Sequence, residues 1–245
     1  MTVNGTAEPF DELRRQCLVL ERFSSRRNQV IKVGMQMSCC PGAMLVLKQY
    51  NVEAKAETEF INLLKLEQAD IKAPRPLALS SNIVYLQYLN GLLLTDIIEK
   101  RLLAQSVWTE KLAGWYADLH KIGHDGSGRA LLKTDNNLRN FIYADSNFFG
   151  LDFEEIEVGD PARDIGQVCA FILSDRPAFS IQKKAATAEL VQHYCARNRV
   201  VRNGQIEKEV MIELEKMAER RRDERRAIKD YLNSLARGNR GFLSG

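Results

Sequence analysis

Three residues in the stretch LLKTDNNLRNFIYADSNFFGLDFEE (131–155) have types and spacing that suit chemistry: Asp135, Asn140 and Asp152. Asn140 follows Asp135 by five positions, and Asp152 follows Asn140 by twelve. The runs at 140–144 and 147–153 read as two short strands around a tight Asp145-Ser146 turn. In such a hairpin Asn140 opens the first strand and Asp152 closes the second, so their side chains can converge. An amide oxygen and a carboxylate are hard ligands, suited to a Mg²⁺ ion that keeps several waters and also holds phosphates. Asp135, close by, could accept a proton from a hydroxyl or orient it. The plainer alternative is a turn cap, a strand start and a strand end, since Asp and Asn are common turn residues. The order and placement of the three together favour chemistry.

The segment GLDFEEIEVGDPARDIG (150–166) sharpens the point. An apolar run ends in Asp152, and more acids crowd in behind it. Burying a carboxylate costs several kcal/mol, about the penalty of taking any ion out of water, unless something compensates. A metal ion and a hydrogen-bond network are the two candidates.

The elements that must position these residues fall into two groups. Strand-like runs occupy 17–23, 28–34, 44–50 and 82–89, with an extended Pro-containing stretch at 73–79. An amphipathic helix is predicted over 52–69, with Phe60, Leu63 and Leu64 on its apolar side. After Gly91 helical patterns dominate: 92–103, 106–122, and most of the chain from Pro161 except a break at 198–205. The expectation is an α+β protein with two lobes, a β-rich lobe over 1–90 and a larger helical lobe over 91–245.

Composition narrows the function classes. The chain has 245 residues, 45% hydrophobic and 27% charged, enough for one large domain or two lobes. A net charge of +3 is too weak to imply nucleic acid by itself. Five cysteines (Cys17, Cys39, Cys40, Cys169 and Cys195) form no CxxC pair, which argues against a disulfide framework or a zinc site. The N-terminus is polar without an apolar core, and no apolar run has the length of a membrane span. The expected location is the cytoplasm, with a peripheral membrane contact left open.

The spacing D-x-x-x-x-N, followed by a hairpin and an Asp-Phe pair, resembles the catalytic segment of the protein-kinase-like superfamily. Gly159-Asp160-Pro161-Ala162-Arg163-Asp164-Ile165-Gly166 resembles the G-D-P-x-x-D run of aminoglycoside phosphotransferases and of lipopolysaccharide (Kdo-type) kinases, and ADLHKIG (117–123) resembles the L-H-x-x-G before their catalytic loop. The likeness covers about residues 43–175. It implies a bilobal kinase-like fold with ATP and Mg²⁺ as cofactors. Asp135 would be the catalytic base or the residue that orients the hydroxyl, and Asn140 and Asp152 the metal ligands. Lys48 would hold the ATP phosphates with support from Glu59, and Gln87, Tyr88 and Leu89 would form the adenine-binding hinge. Asp164 would brace the catalytic loop. The implied reaction moves the γ-phosphate to a hydroxyl of a small molecule or glycan. A nucleotide-binding pseudokinase and an atypical Ser/Thr protein kinase are the alternatives.

The chain departs from that pattern in three places. Lys133-Thr134 precede Asp135 where the family has His-Gly or His-Arg, Glu154 replaces the glycine after Asp152-Phe153, and VGMQMSCCPG (33–42) is poor in glycine. Lys133 reads best as a solvated loop lysine, in preference to a phosphate contact. His120 and His124 have helical spacing but lack the glutamate of a zinc motif. The stretch 207–241 reads as one long charged helix, with Arg220, Arg221, Arg222, Arg225 and Arg226 interleaved with acids. An anionic ligand on that helix is the sharper alternative to a solvated face.

Overall fold

The computed structural model describes residues 17–25, 27–35, 43–123 and 128–237. The predicted loop at 36–42, with Cys39, Cys40 and Gly42, lies outside these residues, as does His124. The architecture is mixed α+β. The chain divides into two compact units, Met1–Asn90 and Gly91–Gly245.

The first unit is an antiparallel sheet plus one helix. Its strands are β1 (Cys17–Phe23), β2 (Gln29–Met35), β3 (Met44–Gln49), β4 (Pro76–Ser80) and β5 (Ile83–Gln87), in the order β1-β2-β3-β5-β4. Alternation decides the two faces. Cys17, Ile31, Val33, Leu47 and Ile83 form one buried cluster, with Val19, Leu45 and Tyr85 packed against it. Lys48, next to Leu47 on β3, therefore projects from the opposite face. Helix α1 (Glu53–Gln68) packs against β4 and β5 and buries Ala56, Glu59, Asn62, Leu63 and Leu66. This is a helical stripe of threes and fours, and it carries one glutamate into the interior.

The second unit is built around helices. They are α2 (Leu94–Lys100), α3 (Gln105–Leu119), α4 (Ala162–Ser174), α5 (Ile181–Arg197), α6 (Asn203–Arg220) and α7 (Arg225–Arg237). Helix α3 packs on α5, and α4 packs on α6 and α5. Over the described part of the predicted 207–241 helix, residues 207–237, the chain forms not one helix but parts of two, interrupted at Arg221–Glu224. Arg225 explains the stop: its guanidinium donates to the carbonyl oxygen of Ala218 (2.9 Å), satisfying a group that the end of a helix leaves bare.

Short strands frame the loops of this unit. Strand β6 (Leu92–Leu93) pairs with β8 (Phe141–Ala144), which forms a hairpin with β9 (Asn147–Gly150). Asp145 and Ser146 both have positive φ (47° and 63°), as the two-residue hairpin turn requires. Asn140 does not open the strand. It ends a 3₁₀ turn, Leu138–Asn140, and β8 starts one residue later. Asp152 lies two residues past the end of β9 rather than within it. A pairing that the sequence pattern does not reveal joins β7 (Ala130–Leu132) to β10 (Glu157–Gly159).

Two glycines mark close approaches. At Gly150 a Cβ would lie 2.5 Å from the Trp115 ring, which packs the end of β9 against α3. At Gly166 a Cβ would lie 2.4 Å from Glu209 Cβ and 2.9 Å from the Glu209 carbonyl carbon, where α4 crosses α6. Gly166→Ala should therefore cost about 1–3 kcal/mol through overpacking. Urea unfolding of the variant measures this, and an unchanged midpoint would show that the two helices separate at no cost.

Candidate active site

The centre of the second unit is a buried polar network around Asp164. This residue sits in the first turn of α4 and is 1% exposed. Asp160 sets the start of that helix, its Oδ1 accepting from the Ala162 amide (2.9 Å), with Pro161 between them at φ −56°. Asp164 Oδ2 accepts from the Lys133 amide at 2.7 Å and faces His120 Nε2 at 3.2 Å. Its Oδ1 accepts from the Thr134 amide at 3.2 Å and from Asn136 Nδ2 at 2.7 Å. One carboxylate thus takes four donors, two of them consecutive backbone amides just ahead of Asp135. This is the bracing role expected of Asp164.

Neighbours fix the donors in turn. His120 caps α3, and its other ring nitrogen lies 2.8 Å from the Tyr194 hydroxyl on α5. Asn136 also donates to Gln167 Oε1 (2.7 Å), one turn along α4 from Asp164, and accepts from the Tyr116 hydroxyl (2.8 Å) on α3. Burial pushes the Asp164 pKa up, but the hydrogen bond and charge of His120, the Lys133 amide and Asn136 outweigh it and hold the carboxyl below its usual range. Burial, followed by the charge of Asp164, raises the Tyr116 hydroxyl well above its ordinary value, so it serves as a donor.

Held in this way, the loop presents Asp135. Its side chain is exposed and accepts from the Asn137 amide (3.2 Å) in a tight local turn. Asn140 is buried, 6% exposed, and joins two segments: its Nδ2 donates to Asp135 O (3.4 Å), and its carbonyl accepts from the Leu151 amide (2.8 Å). Asn140 therefore lies opposite Leu151, next to Asp152. The carboxylates of Asp152 and Glu154 approach within 4.8 Å of one another. The structure brings Asp135, Asn140 and Asp152 onto adjoining segments of one unit.

The remaining candidates lie in the first unit. Lys48 Nζ is 2.8 Å from Glu59 Oε2, with both side chains nearly inaccessible. Gln87 closes β5: its amide donates to Arg75 O (3.0 Å) and its side chain accepts from the Arg75 amide (3.4 Å). That commits the Gln87 amide to the sheet. Leu89 lies past the strand and is buried.

Residues 43–122, a third of the chain, match the family model described as RIO domain. No curated protein matches the chain. Among solved structures, an ADP-bound aminoglycoside phosphotransferase is similar, at 15% identity and a TM-score of 0.63, over 96% of this chain and 93% of the other. A streptomycin–ATP ternary complex of APH(2")-IIa aligns at 16% identity and a TM-score of 0.61, over 87% and 89%. The choline kinase from Cryptosporidium parvum Iowa II aligns at 12% identity and a TM-score of 0.62, over 84% and 83%.

The fold is protein-kinase-like. Within it, several residues have roles that the sequence pattern did not disclose. His120 is a partner of Asp164 and Tyr194. Asn136 in the loop and Gln167 on α4 belong to the same polar network, and their signal was faint: an Asn beside Asp135, and a Gln three positions after Asp164. Lys133 is not solvated; it is 0% exposed. The arginines near the end of the kinase-like chain are largely engaged. Arg220 pairs with Glu213, Arg221 with Glu224, and Arg225 caps α6, while Arg222 is exposed. No helix among the described residues is long and apolar enough to cross a membrane.

Proposed function

We propose that the protein is an ATP- and Mg²⁺-dependent phosphotransferase that moves the γ-phosphate to a hydroxyl of a small molecule or glycan. The observation that carries this reading is the Asp164 network, which spends four donors on one buried carboxylate to hold rigid a loop whose exposed residue is Asp135. Rigid support of this kind is what a hydroxyl-orienting carboxylate needs. Asp135 would orient the acceptor hydroxyl and take its proton as the new bond to phosphorus forms and ADP leaves. Asn140 and Asp152 would hold Mg²⁺, which supplies positive charge against the phosphates. Their donor set fits the ion: an amide and a carboxylate are hard oxygen ligands, and the Glu154 carboxylate lies within 4.8 Å of Asp152. Lys48, paired with Glu59, would bind phosphate oxygens. The likeness to solved aminoglycoside phosphotransferases and a choline kinase supports a small-molecule acceptor. The buried Cys169, which forms no disulfide, supports a cytoplasmic setting.

Thermal shift with ATP, with and without Mg²⁺, tests the reading on wild type and Asp152→Asn. A ligand that binds the native state alone raises the midpoint. A Mg²⁺-dependent rise that the variant loses is the expected result. No shift in wild type at millimolar ATP would overturn the nucleotide reading and leave Asp152 a structural acid.

A further inference from the structure

Lys133 holds a charge where charges are costly. Its side chain is fully buried, and its Nζ donates to the carbonyl oxygens of two consecutive residues, Leu151 (2.5 Å) and Asp152 (3.2 Å). The ammonium also lies 4.8 Å from the centroid of the Phe153 ring and 5.6 Å from that of Phe141. Carbonyl dipoles and ring faces both favour a cation, and together they offset its desolvation. An ammonium suits this task because its three donors can reach two neighbouring carbonyls at once.

The next residue continues the clamp. Thr134 Oγ1 donates to the carbonyl oxygen of Glu155 (2.9 Å), while its amide is held by Asp164. The Lys133-Thr134 pair thus grips the chain on both sides of Asp152 and Glu154. The backbone at both grips is unusual. Thr134 has φ +69° and Asp152 has φ +63°, left-handed conformations that side chains rarely adopt and a β-branched residue least of all. Such conformations persist where surrounding bonds over-determine them, and they gather at functional sites. For Asp152 to leave its conformation, the peptides flanking it would have to turn, and Lys133 holds both of their carbonyls.

We propose that Lys133 is a positioning residue for the divalent cation: by holding the Leu151 and Asp152 carbonyls it fixes the left-handed backbone of Asp152 and so the direction in which that carboxylate leaves the chain. Lys133 does this from the catalytic loop, so the segments carrying Asp135 and Asp152 move as one body. The metal part of the proposal rests on the Mg²⁺ site assigned above to Asn140 and Asp152.

The test is Lys133→Met, which keeps the stem and removes the donors, with two readouts. The first needs no ligand: hydrogen–deuterium exchange of the peptide covering 150–157, referenced to α4. Exchange there should quicken while α4 stays protected. The second is the Mg²⁺ concentration that gives half of the ATP-induced thermal shift, which should rise about tenfold or more, the usual cost of losing a group that orients a ligand. A structural lysine would lower the ligand-free midpoint and leave that Mg²⁺ dependence unmoved. Wild-type exchange at 150–157, or faster exchange with an unchanged Mg²⁺ midpoint, overturns the proposal. If Lys133→Met does not fold, Lys133→Gln takes its place, since its shorter, amide-ended stem keeps a polar head but cannot hold both carbonyls; the same changes are expected there, and their absence overturns the proposal equally. A wild type that shows no Mg²⁺-dependent shift sinks the metal role together with the phosphotransferase reading, and the exchange data then report separately on the clamp.

Discussion

Asp164→Asn should destabilise the helical unit by about 3–5 kcal/mol, the usual cost of leaving one side of a buried charged network unpaired. The geometry explains the size. Oδ2 serves His120 and the Lys133 amide, and Oδ1 serves the Thr134 amide and Asn136. Whichever oxygen becomes the NH₂ of asparagine, two buried donors then face a third. Urea unfolding, with the same spectroscopic signal for both proteins, measures the loss. Acid provides a second check. The Asp164 carboxyl is held below its ordinary value in the folded protein, so its stabilisation is complete above the unfolded value, about 4, and drains away as pH falls through the folded one. The gap between wild type and variant should therefore narrow below about pH 4. A gap that is constant with pH would mean that folding leaves the proton affinity of the Asp164 carboxyl unchanged.

Asp135→Asn should lower phosphate transfer by about 10²–10⁴-fold, the range for losing a positioned acid–base group. Stability should hardly change, because the side chain is exposed and its one local partner, the Asn137 amide, can be served by an amide oxygen as well. The Mg²⁺-ATP thermal shift should also survive. Steady-state turnover with a panel of hydroxyl acceptors, run beside that shift, separates the outcomes. Wild-type turnover in the variant removes Asp135 from the chemistry. Nucleotide binding with no turnover in either protein would identify a pseudokinase instead.

The sequence was most legible where a local pattern and tertiary packing agree. Strands β1 to β3 and helix α1 follow from alternation and from the spacing of Ala56, Leu63 and Leu66. The Asp145-Ser146 turn follows from residues that tolerate positive φ. Legibility failed where a residue's partner is distant in the chain. Lysines sit on surfaces as a rule, and nothing near position 133 announces the carbonyls of 151 and 152 that take this one inside. His120 and His124 share a helical interval, but the partner of His120 is an aspartate 44 positions on. Strands β7 and β10 have three residues each, too few to show a period. The break at Arg221–Glu224 carries neither glycine nor proline, so the pattern ran straight through it.

The β7–β10 pairing has a consequence for control. Residues 153–156 alone separate Asp152 from β10, and within them the Glu155 carbonyl is held by Thr134. Arg163 and Glu157 pair just beyond, and β10 is fastened to the strand that leads into the catalytic loop. Kinases that are switched by ordering a segment need slack at this point, a length of chain that can be loose in one state and fixed in the other. Here the slack has been taken up by a three-residue ladder. On the phosphotransferase reading proposed above, a segment pinned in this way would offer no slack at that position, and output would follow the supply of nucleotide and acceptor.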